Sequence, residues 1–461
     1  MREPGRFSLE RIVAAVSNRR VSFTAAVLAL VAALALGREA ISEIPEVVEA
    51  GYGYDAQLRA THLNRSLVTH SLPVTFVDVD DEALNAWSDA TRTTPRAKIA
   101  ALIERLAAQH PSAIFVDFDL SGVMALPGDT DLAKTLETYP RNGPPLLLTR
   151  AMRSLSCPEG VCSASACAAA IQSKLEASPF EDAVSKNPNV RWVSSLFAAD
   201  GDGVVRSWRL WEPACKEGKI AAIPSPQLAA LALAGPERAG AAKLDGFLAY
   251  AAQQAQGIPA AQPDWPKNAG ARKALIPFLI QGASHERVSG WMGDHGFRYQ
   301  RVRALGVLNG EVADTAIRDR VVVLGASYGP DTFKTPFGTM PGSALIANAV
   351  AVAPAILDTQ PVSAFFLFVV SFLIAIAYAV IAKTLRAIPA GFVILALSYV
   401  WLSLATYWLN PADAVQTVSY ALVMLGAFLA IESAIEILLE LPSHGLSAFL
   451  RTRSGSGPSQ H

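Results

Sequence analysis

Two stretches, "FVDVDD" at 76–81 and "FVDFDL" at 115–120, each close an apolar run with aspartates one residue apart. Asp78, Asp80, Asp117 and Asp119 are therefore the first residues whose type and spacing could do chemistry. Carboxylates gathered in one place repel, so they call for a cation, a shared proton, or hydrogen-bond donors from loops and helix N-termini. The plainer alternative is that each aspartate caps a helix or accepts backbone N–H bonds in a turn. Both readings stand at this point.

The elements around these residues decide whether the carboxylates can meet. "TTPRAKIAALIERLAAQHP" predicts a helix with Thr94 as N-cap and Pro95 at the first position, burying Ile99, Leu102, Ile103 and Leu106. Strand, helix, strand is the resulting order, and continuous apolar strands suit a parallel sheet covered on both faces. A short helix at 131–137, a strand in "PPLLLT" and a later one in "RVVVLG" (320–325) extend the pattern. Parallel strands present their carboxyl ends on one rim, where open α/β sheets bind ligands. The expectation is that Asp78, Asp80, Asp117, Asp119 and the turn after Gly325 converge there.

Between these parts, "DGDGVVRSWRLWEP" reads as a hairpin turning at Asp202-Gly203. Asp200 and Asp202 also suggest a fragment of a calcium loop, but the remaining ligands are missing. Residues 220–270, rich in Ala, Pro and Gln, read as surface helices and loops. His285 and His295 lie ten apart in a polar stretch and read as surface or packing histidines rather than a metal pair. No G-x-S-x-G or phosphate-cradling G-x-x-x-x-G-K-[ST] occurs.

Composition places part of the chain outside water. Only 17% of the 461 residues are charged, and the apolar residues concentrate at 21–36, 362–382, 387–409 and 414–431. The last three runs have the length of bilayer-crossing helices, about 20 residues. The first is shorter, and reads as an anchor or as the core of a signal peptide with an Ala33-Leu34-Ala35 site. Arg2, Arg6, Arg11, Arg19 and Arg20 precede it and favour an anchor with the N-terminus inside. Lys383, Arg386, Arg451 and Arg453 fall on the same side, whereas the loop with Asp413 carries no basic residue.

The resulting order is a basic cytoplasmic tail (1–20), a first span, an outside domain (37–361), three clustered spans and a cytoplasmic tail (432–461). The fold class expected is α/β in the outside domain, with a largely parallel sheet, plus transmembrane α-helices. Both termini are then cytoplasmic and the large domain periplasmic, in a bacterial inner membrane. Cysteine use agrees: Cys157, Cys162, Cys167 and Cys215 all lie in the outside segment. Two disulfides are the leading reading, with three pairings open. A zinc site is less favoured because C-x4-C-x4-C is wide and lacks a nearby histidine. A net charge of −1 offers nothing to nucleic acid. Glu432, Glu436 and Glu440 share one helix face, either to dock a basic partner helix or simply as a solvated extension.

The order of these pieces resembles the type-two CHASE family of extracellular sensor domains, over roughly 72–357 and the flanking spans. "VDVDDEALNAW" is similar to the family's first strand and acidic turn, with Asp80 and Asp81 in the acidic positions. "TTPRAKIAALIERL" matches its Pro-Arg helix start, Asp117 its recurring aspartate, "GDTDLAKTL" its Asp131, and "DGDGVVRSW" its Asp-Gly-Val-Val-Arg turn. "VVVLGASYGPDTFKTPFGTMPGSALIANAV" resembles the closing strand with its Gly-Ala-Ser turn at Ser327, then Asp331, Thr335-Pro336, Pro341-Gly342 and Ala347-Asn348. Arg92-Thr93-Thr94 replaces tryptophans common in the family, and Ile346 replaces a frequent histidine, which weakens any proposal of a titrating or metal-binding histidine there.

The resemblance implies a membrane-bound sensor, with Asp78, Asp80, Asp81, Asp117, Asp119, Asp131, Ser327 and Asp331 as ligand-binding candidates. Family members commonly continue into a cyclase or kinase, so the expectation here is transmission through a separate cytoplasmic or membrane partner. Homodimerisation is a further expectation, and no cofactor or catalytic activity is expected. Two rival readings accompany it. One is a structural component of an envelope complex. The other is a magnesium-dependent phosphohydrolase, since "IFVDFDLSG" resembles the haloacid-dehalogenase opening motif, with Asp117 as nucleophile and Asp119 as general acid/base. The downstream acidic pair and the strand-borne lysine of that motif set are missing.

Overall fold

The computed structural model describes residues 71–87, 93–122, 126–154, 173–199, 203–216, 219–235, 239–266, 273–276, 278, 280–281, 286–287, 299–329, 331–357 and 364–384, with 393–394, 396–398, 400–401 and 421 beyond them. The run at 21–36, Cys157, Cys162, Cys167, Asp200, Asp202, His285, His295, the run at 414–431 apart from Ala421, and Glu432, Glu436 and Glu440 lie outside the described residues. The chain divides into two units, one formed by 53–361 with 410–412 and the other by 1–52, 362–409 and 413–461.

In the first unit, β1 (Val74–Val79), β2 (Ala113–Val116), β3 (Leu146–Thr149), β4 (Val190–Val193), β5 (Tyr299–Arg303) and β6 (Val321–Ala326) form one sheet in the order β5-β1-β6-β2-β3-β4. Every pairing in it is parallel. The expected parallel α/β sheet is therefore present. Its helices are α1 (Asp81–Trp87), α2 (Arg96–Ala107), α3 (Asp129–Thr138), α4 (Glu181–Lys186), α5 (Pro226–Ala234), α6 (Ala241–Ala255) and α7 (Ala304–Asn309). After β6 come an antiparallel hairpin, β7 (Thr332–Thr335) and β8 (Gly338–Pro341), and then α8 (Gly342–Leu357).

The period-two alternation of strand side chains sorts the sheet residues onto two cores. Phe76, Phe115, Leu147 and Val323 face one core with Leu228 and Leu231 of α5, Leu244 and Phe247 of α6, and Leu345 and Val350 of α8. Val77, Val116, Leu148 and Leu324 face the other, against Ile99, Leu102, Ile103 and Leu106 of α2, Leu132 and Leu136 of α3, Val184 of α4 and Val307 of α7. The four α2 residues expected to be buried are all fully so. Burying each stabilises the fold by roughly 1.5–3 kcal/mol relative to leaving it in water.

Two sequence expectations are corrected. Thr94 does not cap α2: Pro95 occupies the cap position without a side-chain bond, and the Thr94 hydroxyl instead bonds the Tyr328 hydroxyl at 2.8 Å. Residues 220–270 are not mainly surface. α5 buries everything from Pro226 to Ala232, and its Ser225 Oγ accepts from Leu228 N at 3.2 Å. Its alanines present so little bulk that the helix packs closely against α8. An all-round apolar helix has no periodic stripe, so composition made it look like surface helices and loops.

Strands outside the main sheet complete this unit. Residues 197–199 pair antiparallel with 205–209, as the Asp-Gly hairpin expectation requires, with Gly203 at φ +78 in the connection. Strands 211–216 and 219–224 also pair antiparallel. Cys215 on the former is disulfide-bonded, and Cys157, Cys162 and Cys167, the candidates for its partner, lie outside the described residues.

In the second unit, α9 (Ala364–Thr384) runs 21 residues, with Lys383 its only charge. Phe366, Val369, Leu373 and Ile376 recur along one exposed face, while Ala375, Tyr378 and Ala379 are buried and the Tyr378 and Ser398 hydroxyls lie 2.6 Å apart. The side chains of α9 are described at 366 and 369–381 only. Over the described residues, no helix is long and apolar enough to cross a membrane.

Candidate functional site

The sheet's registry builds the site. Asp78 pairs with Gly325 across β1 and β6, and Asp117 follows the Val116–Leu324 pair, its N–H bonding Leu324 O at 2.8 Å. One step past the Val116–Leu148 pair, Asp117 lies beside Thr149 at the end of β3. Asp78, Gly325, Asp117 and Thr149 therefore form one row at the carboxyl ends of four adjacent strands. Alternation puts this row on the α8 face, with Phe76, Phe115, Leu147 and Val323.

Gly325 separates the two aspartates without a side chain, and α8 uses the space. A Cβ at Gly325 would lie 2.1 Å from Ser343 Oγ and 3.2 Å from Asp117 Cβ, so only glycine lets the first turn of α8 descend here. Ser343 Oγ accepts from Ala326 N at 3.2 Å and donates to Asp117 Oδ2 at 2.6 Å. Thr149 Oγ1 donates a longer bond, 3.4 Å, to Oδ1. Asp331 reaches the same turn from the other side: its O accepts from Gly342 N at 3.0 Å, and its Oδ2 sits 2.5 Å from where a Gly342 Cβ would be.

Asp117 keeps partial solvent contact, yet protein surrounds most of its carboxyl. Desolvation is the largest influence, pushing its carboxyl up to about 6; Asp331 adds to the rise, while the Ser343 and Thr149 hydroxyls oppose it. Asp331 is exposed, and partial desolvation also raises its carboxyl. Among the described residues, no cation faces Asp117; its side-chain partners are the two hydroxyls.

Asp78 is held differently. It is fully buried, and its Oδ2 accepts from Arg301 Nε at 2.8 Å, from the Arg301 terminal nitrogen and from Ser327 Oγ at 2.9 Å. Its Oδ1 has no partner among the described residues. An oxygen buried without a donor costs free energy on the order of 1–3 kcal/mol, so a donor brought by a ligand or water would be welcome there.

The remaining candidates do not join the row. Asp80 caps α1, its Oδ1 accepting from Ala83 N at 2.9 Å while Oδ2 pairs with Arg303 Nε at 3.2 Å. Asp81 is exposed in the first turn of α1. Asp119 is exposed in a local turn, accepting from Ser121 N at 2.9 Å. Asp131 is exposed in the first turn of α3, a place favoured by the helix dipole. The turn-and-cap alternative therefore holds for Asp80 and Asp119, and convergence holds for Asp117, Asp331 and, across β6, Asp78 with Ser327. Strand ends point together only while the strands last; Asp80 and Asp119 lie beyond them.

Sequence reasoning missed Ser343, Thr149, Arg301 and the spacing role of Gly325. "PGSAL" carried a signal, a helix start with a hydroxyl in its first turn, whereas Arg301 became relevant only through the pairing of β5 with β1. No group of three or more metal-ligating side chains occurs among the described residues. The paired Asp117 and Asp119 of the phosphohydrolase reading are split, one half-buried beside α8 and the other exposed.

Comparison with curated proteins and with solved structures gives no match. The CHASE2 domain model matches residues 25–382, more than three quarters of the chain, and so takes in the sheet, the rim and α8. The chain belongs to the CHASE2 domain family, a family of sensory extracellular domains.

Proposed function

We propose that this protein is a membrane-anchored, non-catalytic signal-input protein whose sensory centre is the rim formed by Asp78, Asp117, Ser327, Asp331 and Ser343. The observation carrying this reading is the Asp117 carboxyl, desolvated against the first turn of α8 with no cation beside it among the described residues. α8 ends at Leu357 and α9 begins at Ala364, so a change at the rim acts on the helix that leads along the chain into the apolar segment. α9 belongs to that segment and carries a single charge over its 21 residues. Its exposed stripe of Phe366, Val369, Leu373 and Ile376 suits lipid.

In this reading 37–361 faces the periplasm, the runs at 21–36, 362–382, 387–409 and 414–431 cross the inner membrane, and both tails are cytoplasmic. Glu432, Glu436 and Glu440 offer a docking face to a basic helix of a signalling partner, and a homodimer would place two such faces side by side. Paired cysteines in an oxidising compartment fit the same orientation. A ligand shifts such a device only through its differential affinity for two arrangements of α8.

The test is thermal melting of the full chain in lipid nanodiscs against small metabolites, metal ions and pH. A sensor shifts its melting with at least one of these, and the shift shrinks when Asp117 or Asp78 is changed to Asn. No shift in any arm contradicts the proposal and leaves the envelope scaffold as the better account.

A further inference from the structure

We infer that the signal read at this rim is the proton: Asp117 and Asp331 form a carboxyl pair gripping the first turn of α8, and its protonation changes how that turn is held. This rests on the sensory reading of the rim and names its ligand.

The geometry carries the inference. Both aspartates meet adjacent residues of α8, Asp331 with its Oδ2 2.5 Å from where a Gly342 Cβ would be and Asp117 through the Ser343 hydroxyl. Ser343 is committed on both sides, accepting from Ala326 N and donating to Asp117. Once Asp117 takes a proton, the charge that holds the Ser343 hydrogen and complements the positive end of the helix is gone. The first turn of α8 is then tied to β2 by a neutral bond of roughly half the strength.

The groups facing Asp117 are few. From α8 comes Ser343, from β3 Thr149, from the segment before β7 Asp331, and from β6 Gly325, which has no side chain. Across Gly325 lies Asp78, whose charge is matched by Arg301. On its own strand's extension, Asp119 is exposed and bonded to Ser121 N. A cation at this position would hold Asp117 ionised through the whole physiological range; among the described residues none is there, and desolvation with Asp331 brings its carboxyl up to about 6.

The test is hydrogen exchange of the full chain in lipid nanodiscs, following backbone amides at 342–350 across pH after correction for intrinsic exchange. Wild type is expected to show a change in protection with a midpoint near 6. Asp117→Asn should abolish that midpoint. Should this variant fold poorly, two others keep the question open to refutation. Asp331→Asn should move the midpoint toward acid, because Asp331 raises the Asp117 carboxyl. Thr149→Val should move it toward base, because the Thr149 bond lowers it. Opposite shifts from two neighbours are not expected of residues with a packing role only.

A midpoint that survives Asp117→Asn, or no midpoint at all, overturns the inference. If a metabolite or metal ion still shifts melting through the rim, only the proton assignment fails; if nothing does, the sensory reading fails with it.

Discussion

Replacing Asp117 with asparagine should remove the cost of holding its desolvated charge beside α8. The folded protein raises this carboxyl from 3.8 to about 6, so between those values it binds more protons than the unfolded chain. The resulting stabilisation is complete below about 3.8 and is lost as pH rises through about 6. Two pH units correspond to a ceiling of about 3 kcal/mol, and the partial solvent contact of Asp117 reduces the expectation to about 2 kcal/mol. Asparagine is neutral throughout and matches the protonated acid in shape. The stability of Asp117→Asn minus that of wild type should therefore grow by about 2 kcal/mol in favour of the variant between about pH 4 and about pH 7. Urea denaturation of the full chain in detergent, followed by near-ultraviolet circular dichroism at each pH, measures that difference. A difference that stays flat, or that grows in favour of wild type, refutes the assignment of a raised carboxyl at Asp117.

Other perturbations separate the rim from its surroundings. Arg301→Ala leaves the fully buried Asp78 without its cation and should cost about 3 kcal/mol by urea denaturation, the lower end for a buried pair because Arg301 is partly exposed. Asp80→Ala removes a cap from α1 and should cost about 1 kcal/mol while leaving the pH response at 342–350 unchanged, since Asp80 lies outside the row. Leu373→Arg puts a charge on the exposed apolar stripe of α9 and should penalise membrane insertion by about 3 kcal/mol, read as the chain's distribution between membrane and soluble fractions.

Much of the fold was legible because the chain repeats one device. The phrases ending at Asp78 and Asp117 are apolar β-branched runs, and the helix between them declares its buried face through Ile99, Leu102, Ile103 and Leu106. Together they specify a parallel sheet and place several carboxylates near one rim. What stayed hidden depends on where strands stop. Asp80 and Asp119 carry the same spacing as Asp78 and Asp117, yet one lies past the end of β1 as a cap and the other past the end of β2 in a turn. Nor did spacing reveal that Gly325 sits between Asp78 and Asp117, because that neighbourhood joins residues more than two hundred positions apart. α5 was misjudged for the opposite reason: it is apolar on every side, so periodicity had nothing to report.

The most direct test of a proton-reading rim is infrared difference spectroscopy of the full chain between about pH 5 and about pH 7, on wild type and Asp117→Asn. The account predicts a protonated-carboxyl band in wild type that disappears toward neutral pH and is missing from the variant. The same band in both proteins, or none in wild type, would contradict it.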